Sequence, residues 1–350
     1  MKLKAKKNKM NVFLVLAAVF AAGVFSGCQD PIFWNIRQEV KLEEATIYGD
    51  IFSIVRFKEK LFIANGNIYS KDKNANSHGQ WSKMNGPAGH VLTVAADSSY
   101  VYALSVTSRK NDSEGEMELE SRKLYYSSDG NSWKEVSGIT LSNSKSDVVK
   151  LLCTNSPKND NRSAYIRNKN NVYKLNGSSA NSSAESGAGS ALSCVYANGG
   201  VKFYNAEAAC TDETETSDVS AIYYSSGSDL KRVKISDSSE TTVETTVVNG
   251  IRSTVYGIAV MKDSVLVTTA GGTALVARDS GTEIQFANLQ STLSTLYESR
   301  ACLAVNPGLN AHDCAVYAGL SVQGTGSNSA LFTHEGLWSY YPARGKWNIE

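Results

Sequence analysis

One short pattern recurs along most of this chain and limits what it can fold into: an apolar strand, a polar turn and a second apolar strand. Its instances pair 51–57 with 61–64, 91–96 with 100–106, 148–154 with 164–167, 191–197 with 201–204, 255–261 with 265–269, and 300–305 with 315–322. A third strand follows each pair. It carries an apolar-Tyr signature at Ile68-Tyr69, Leu124-Tyr125, Val172-Tyr173 and Ile222-Tyr223, with looser versions at 274–277 and 337–340. Such runs are short, rich in Val, Ile, Leu and Tyr, and bounded by Gly, Asn, Asp and Ser, which is the mark of strands rather than helices. Outer fourth strands are legible at 81–84, 133–136, 230–235, 284–289 and 347–350.

The signatures begin 48 to 63 residues apart. Propeller blades repeat at roughly 40–50 residues, and loop insertions account for the longer intervals. The expected fold class is therefore all-β, a six-bladed β-propeller with seven blades as the alternative. Residues 49–350 form the propeller and part of 36–48 is a candidate closing strand. The 177–190 stretch is Gly/Ser/Ala-rich and reads as a loop.

The first residues have a different character. Lys2, Lys4, Lys6, Lys7 and Lys9 precede an apolar run over 12–25, too short for a span of about 20 residues. Residues 1–27 read as a signal peptide. Phe25-Ser26-Gly27-Cys28 resembles a lipobox, with Phe25 where leucine is usual. That resemblance implies cleavage before Cys28, lipid on Cys28, and a lipid-anchored linker over 28–48. The expected location is the cell envelope, with the membrane as a partner through the anchor. Removing 1–27 takes away five of the 35 basic residues and none of the 34 acidic ones, so the net charge moves from +1 to near −4. A nucleic-acid binder would carry the opposite balance.

Ser127-Ser128-Asp129-Gly130-Asn131-Ser132-Trp133 resembles the Asp-box of sialidase-like, BNR-repeat propellers. That motif sits between the third and fourth strands of a blade. The resemblance implies structural roles for Ser127, Asp129, Gly130 and Trp133. The aspartate would cap turn amides, the glycine would take positive φ, and the tryptophan would pack the hairpin on its own blade. Degenerate copies occur at 70–81, 225–229 and 339–347.

A sialidase would also bring an arginine cluster. Arg37, Arg56, Arg252 and Arg300 lie near strand ends without a pattern that selects three of them, and Tyr256 and Glu298 stand isolated. No catalytic residue is assigned, and the chain is expected not to be an enzyme. No cofactor is expected beyond the lipid. No metal site is assigned, because the carboxylates lack the spacing of a calcium loop.

The features most suggestive of binding are long connections at 107–122, 205–219 and 323–335. Two are acidic, with Asp112, Glu114, Glu116, Glu118 and Glu120 in one and Asp212, Glu213, Glu215 and Asp218 in the other. Together they are the candidate binding rim for a protein or glycan partner, since converging like charges steer a basic ligand. A turn between Cys302 and Cys314 makes them a candidate disulfide.

Overall fold

The computed structural model describes residues 47, 49–75, 79–110, 117–153, 163–169, 171–182, 193–197, 200–204, 209–211, 221–234, 239–243, 254–278, 280–282, 284, 297–306, 308–322 and 336–350. The chain divides into two compact units, Met1–Glu44 and Ala45–Glu350. The first, with Cys28, lies outside the described residues, and all that follows concerns the second.

The described strands form seven antiparallel sheets, six of three or four strands and one two-stranded pair. Sheet I holds β1 (Ile54–Phe57), β2 (Lys60–Asn65), β3 (Asn67–Asp72) and β4 (Ser82–Lys83). Sheet II holds β5 (His90–Ala96), β6 (Val101–Lys110), β7 (Met117–Ser127) and β8 (Lys134–Glu135). Sheet III holds β9 (Val149–Cys153), β10 (Ala164–Asn168), β11 (Asn171–Asn176) and β12 (Ser179–Ser182). Sheet IV is the pair β13 (Ser193–Ala197) and β14 (Gly200–Tyr204). Sheet V holds β15 (Ala209–Thr211), β16 (Ala221–Ser226), β17 (Asp229–Lys234) and β18 (Glu240–Val243). Sheet VI holds β19 (Val255–Val260), β20 (Ser264–Thr269) and β21 (Gly272–Ala277). Sheet VII holds β22 (Tyr297–Ala304), β23 (Val316–Val322), β24 (Gly336–Tyr341) and β25 (Lys346–Ile349).

Within each sheet the strands follow chain order, as a meander. Between sheets the leading strands meet in sequence: β1 lies against β5, β5 against β9, β9 against β13, β13 against β15, β15 against β19, and β19 against β22. The last of them, β22, lies back against β1.

Strand alternation explains why the sheets stack. Successive side chains of a strand point to opposite faces. On β2, Leu61 and Ile63 join a cluster with Trp81, Ala301, Tyr317, Leu337 and Tyr341, shared between sheets I and VII. Phe62 and Ala64, the alternate residues, join Val91, Val94, Val101 and Ala103 of sheet II. On β6 the same logic sends Val101 and Ala103 toward sheet I and Tyr102 and Leu104 toward Leu151 and Ile166 of sheet III. Both faces are apolar because both are covered, and burying each Leu, Ile or Phe contributes about 1.5–3 kcal/mol.

Three differences from the sequence reading stand out. The fourth repeat is split: among the described residues β13 and β14 pair with each other alone, and β16 takes β15, from the 205–219 insertion, as its partner. The long connection therefore supplies a strand that displaces the expected neighbour. In the 177–190 stretch, Ser179–Ser182 pairs with β11, since backbone pairing makes no demand on side-chain size. Finally, 107–110 and 117–121 are not loop. They extend β6 and β7 as a paired ribbon beyond the end of β5, in keeping with the alternation of Glu118 and Glu120 with Met117 and Leu119. Of the candidate closing strand, Ile47 is described. Its amide donates to the Glu350 carbonyl at 3.3 Å, and its carbonyl accepts from the Leu337 amide at 3.4 Å.

Candidate functional site

Three of the seven leading strands share an irregularity at one end. Register shifts occur between Val91 and Thr93 on β5, between Val255 and Gly257 on β19, and between Ser299 and Ala301 on β22. Each shift leaves one extra residue: Leu92, Tyr256 and Arg300. A bulge of this kind bends the strand and re-aims the extra side chain, and bulges concentrate at rims and next to functional sites. All three lie near the starts of their strands, away from the hairpins that join them to β6, β20 and β23.

Two of these residues meet a third. The Arg300 guanidinium carbon stands 5.3 Å from the Tyr256 ring centroid and 5.8 Å from that of Phe52. Phe52 precedes β1 and is 45% exposed, an unusual position for so large an apolar side chain. Tyr256, Arg300 and Leu92 are half-buried. Sheets VI and VII and the segment leading into sheet I thus contribute one residue each to an aromatic–guanidinium cluster. Cation–π contact at half-exposed sites is worth roughly 0.5–2 kcal/mol and holds the guanidinium plane in place. Chemically the cluster offers flat apolar faces and a fixed positive charge. We call this end of the inner strands the mouth.

The ribbon of sheet II stands at the same end. His90 at the start of β5 is opposite Val106, and Val106 is opposite Arg122, so everything beyond them projects past the mouth end of the sheet. The Thr107 and Ser121 hydroxyls hydrogen-bond at 2.7 Å, and Arg122 donates to the Ser142 and Ser144 carbonyls at 2.6 and 2.9 Å. Glu118 sits opposite Arg109, and Glu120 is the unpaired residue of a bulge. Of the two described rim carboxylates, Glu118 therefore has a basic residue across the ribbon and Glu120 has no cross-strand position opposite it. The other rim candidates, Asp112, Glu114, Glu116, Asp212, Glu213, Glu215 and Asp218, lie outside the described residues.

Of the four arginines singled out in the sequence, Arg37 and Arg252 also lie outside them. Arg56 is opposite Leu61, next to the β1–β2 turn, whereas Arg300 is at the mouth. These two stand at opposite ends of the inner strands and do not converge. No group of three or more His, Cys, Asp or Glu side chains that could hold a metal is found among the described residues.

The 127–133 turn is tightly organised. Asp129 accepts from the Asn131 and Ser132 amides at 2.8 and 2.9 Å and from the Ser127 hydroxyl at 2.8 Å. Those amides, the Ser132 one foremost, hold its carboxyl down at about 2. Gly130 has φ +80°, and a Cβ there would lie 2.6 Å from the Phe62 ring. Trp133 packs with the cluster shared by sheets I and II, and its Nε1 donates to the Asn85 carbonyl at 2.8 Å. The indole thus reaches across to the preceding sheet rather than folding only onto its own.

The expected disulfide is not formed. Cys302 and Cys314 are both buried thiols. The hairpin register sets Cys302 opposite Ala318 and Ala304 opposite Val316. Cys314 falls four positions along the partner from Cys302, about 13 Å at ~3.3 Å per residue, beyond the ~7 Å limit between Cα atoms. Burial pushes the Cys314 thiol up to about 11.

Sequence reasoning named Tyr256 as an isolated residue and Arg300 as one of four arginines near strand ends, and did not select Phe52. Their juxtaposition depends on bulges and on the return of sheet VII to sheet I, neither of which has a local signature.

Comparison with known proteins gives one family match, over less than half of the chain. Residues 4–163 match the TP013X lipoprotein family. The match supports a bacterial envelope lipoprotein, associated with a membrane. No curated protein matches the chain. Among solved structures, the luciferin-regenerating enzyme is similar at 10% identity, covering 85% of this chain and 94% of its own, with a TM-score of 0.48. U3-55K is similar at 12% identity, covering 88% and 82%, with a TM-score of 0.39. The computationally designed Ika8 protein is similar at 15% identity, covering 87% and 74%, with a TM-score of 0.34.

Proposed function

We propose that this chain is a lipid-anchored β-propeller that works as a non-catalytic binding scaffold, engaging a protein partner through its mouth. In this reading the seven sheets are the blades, which takes up the seven-bladed alternative. The return of β22 to β1 supports it, and so does the resemblance of the 127–133 turn to an Asp-box. The family match and the layout of residues 1–28 support lipid on Cys28. More than one acyl chain on that cysteine would give durable anchoring, since a single chain binds only marginally.

The observation that carries the binding role is the cluster of Phe52, Tyr256 and Arg300. Tyr and Arg dominate the energetic centres of protein interfaces, and a rigid sheet scaffold holds these side chains without a large ordering cost on binding.

A photo-crosslinking residue placed at Phe52 in the full chain, in cells, tests the reading. Leu309 is the control, being similarly exposed at 42% but located in the β22–β23 connection at the far end. The reading expects one discrete adduct from position 52 and none from 309, with the adduct reduced at least tenfold by Arg300→Ala. Equal labelling from both positions, or insensitivity to Arg300→Ala, contradicts it. Detergent-phase partitioning tests the anchor: the wild type enters the detergent phase and Cys28→Ala stays aqueous. If intact cells protect the anchored protein from external protease, the partner belongs to the envelope and the role is assembly there. If they do not, the partner is extracellular.

A further inference from the structure

The contact between sheets I and VII contains a cluster that the mouth does not use. Lys71 of β3 and Glu350 form an ion pair at 2.9 Å, and neither side chain has any exposure. The Lys71 ammonium also donates to the Tyr341 hydroxyl at 2.7 Å and lies 5.2 to 5.8 Å from the rings of Tyr341, Tyr317 and Trp81. The Glu350 carboxylate accepts from the Trp81 Nε1 and from the Gly79 amide, each at 2.8 Å. The Tyr317 and Tyr341 hydroxyls hydrogen-bond to each other at 2.6 Å. Every partner is matched: the ammonium has an anion, a hydroxyl and three π-faces, and the carboxylate has a cation and two N–H donors.

Two facts make this arrangement more than a packing detail. Three other ion pairs, Lys73–Glu59, Lys123–Glu135 and Lys169–Asp147, each have a partly exposed member and lie within one sheet or beside it. The buried pair, by contrast, joins residues 279 positions apart, across the seam whose two sheets are not consecutive in the chain. Consecutive sheets are brought together by short connections. Sheets I and VII must find each other through free chain, against closure entropy and against every other sheet edge present.

Those edges are alike. Sheets I, II, VI and VII each bury apolar residues on both faces, so hydrophobic burial favours closure without choosing the partner face. A buried charge pair does choose, because docking sheet VII on a wrong face would strand Lys71 or Glu350 in an apolar seam.

We infer that the Lys71–Glu350 cage is a latch that selects which sheets close the cycle, rather than a net source of stability. The latch rests on the observed contact of sheets I and VII, independently of the binding role.

The test refolds the full chain from denaturant over a range of concentrations and reads mass by light scattering and Tm by calorimetry. Lys71→Met and Glu350→Leu singly lower Tm, by about 8 °C each. The double variant recovers most of that loss but refolds with at least a threefold larger fraction of dimers and higher species, rising with concentration, as exchanged closure requires. Tyr341→Phe, which removes one hydroxyl from the ammonium and keeps the ring, gives a smaller rise in the same species with little change in Tm. A double variant that recovers Tm and refolds with the wild-type mass distribution overturns the latch. So does a double variant as unstable as the singles, because the pair would then be a source of stability.

Discussion

Sheet I has two neighbours, and it meets them in different ways. Toward sheet II it presents Val55, Phe57, Phe62, Ala64 and Ile68 to Val91, Val94, Ala96, Val101 and Ala103, with the polar contacts at the margin. Each of those contacts uses a main-chain amide or carbonyl: the paired bonds of Gly66 and Val91 at 2.9 Å, the Val94 amide to the Ser53 hydroxyl at 2.8 Å, the Lys58 ammonium to the Ser128 carbonyl at 2.8 Å, and the Trp133 indole to the Asn85 carbonyl. Toward sheet VII it presents an equally apolar stripe, Ile54, Leu61 and Ile63, but a charged pair and two tyrosine hydroxyls are buried beside it. The first seam joins neighbours in sequence, and apolar burial with peripheral turns is enough. The second joins the first and last sheets, and there the polar groups are placed where a mistake would be costly. Burial also drives the Tyr317 and Tyr341 hydroxyls far above the ordinary tyrosine range, so they stay neutral donors and acceptors at any pH the protein meets.

The comparison can be broken most decisively at the second seam. Glu350→Ala leaves the Lys71 ammonium, the Trp81 indole and the Gly79 amide without their acceptor, and equilibrium unfolding should show a loss of about 3–5 kcal/mol. At the first seam the largest expected effect is at Gly130. Gly130→Ala combines a left-handed backbone with a Cβ 2.6 Å from Phe62, and a loss of about 2 kcal/mol should appear in the same measurement. Trp133→Phe keeps most of the packing and removes one hydrogen bond to a carbonyl that water can reach, for about 0.5–1 kcal/mol. A larger cost than Glu350→Ala at any of these first-seam positions would reverse the contrast.

Acid gives the smallest and most specific effect. The Asp129 carboxyl is held at about 2 in the folded chain, below its unfolded value near 4. Its contribution is fully present above pH 4 and is lost as pH falls from 4 toward 2. The Asn131 and Ser132 amides should then exchange faster with solvent over that window, and in Asp129→Asn this pH dependence should disappear.

Much of the sheet architecture is legible in the sequence because alternation is local. Leu61-Phe62-Ile63-Ala64, bounded by polar turns, reads as a strand, and the Tyr-bearing third strands at 69, 125 and 173 lie where the repeat puts them, whereas Tyr223 falls on the second strand of its sheet. The turn at Asp129 is legible for the same reason, since its donors and acceptors are within five residues of one another. The division of 191–243 into two sheets is not legible, because β15 competes for the edge of β16 through backbone bonds, which carry little side-chain signature. The mouth escapes too. Phe52 is more than 200 residues from both Tyr256 and Arg300 in the chain, and the bulges that aim Tyr256 and Arg300 depend on pairing register. Lys71 and Glu350 look like ordinary surface charges until sheet VII is laid on sheet I.

The claim on which the rest depends is that sheets I and VII meet in solution as they do in the structure. A double-mutant cycle on Lys71→Met and Glu350→Leu, read by equilibrium unfolding at neutral pH, measures this directly. The structure predicts a coupling of about 2–3 kcal/mol, the double variant being far less destabilised than the sum of the singles. A coupling within about 0.3 kcal/mol of zero would mean that the two side chains do not meet and that the cycle of sheets is open.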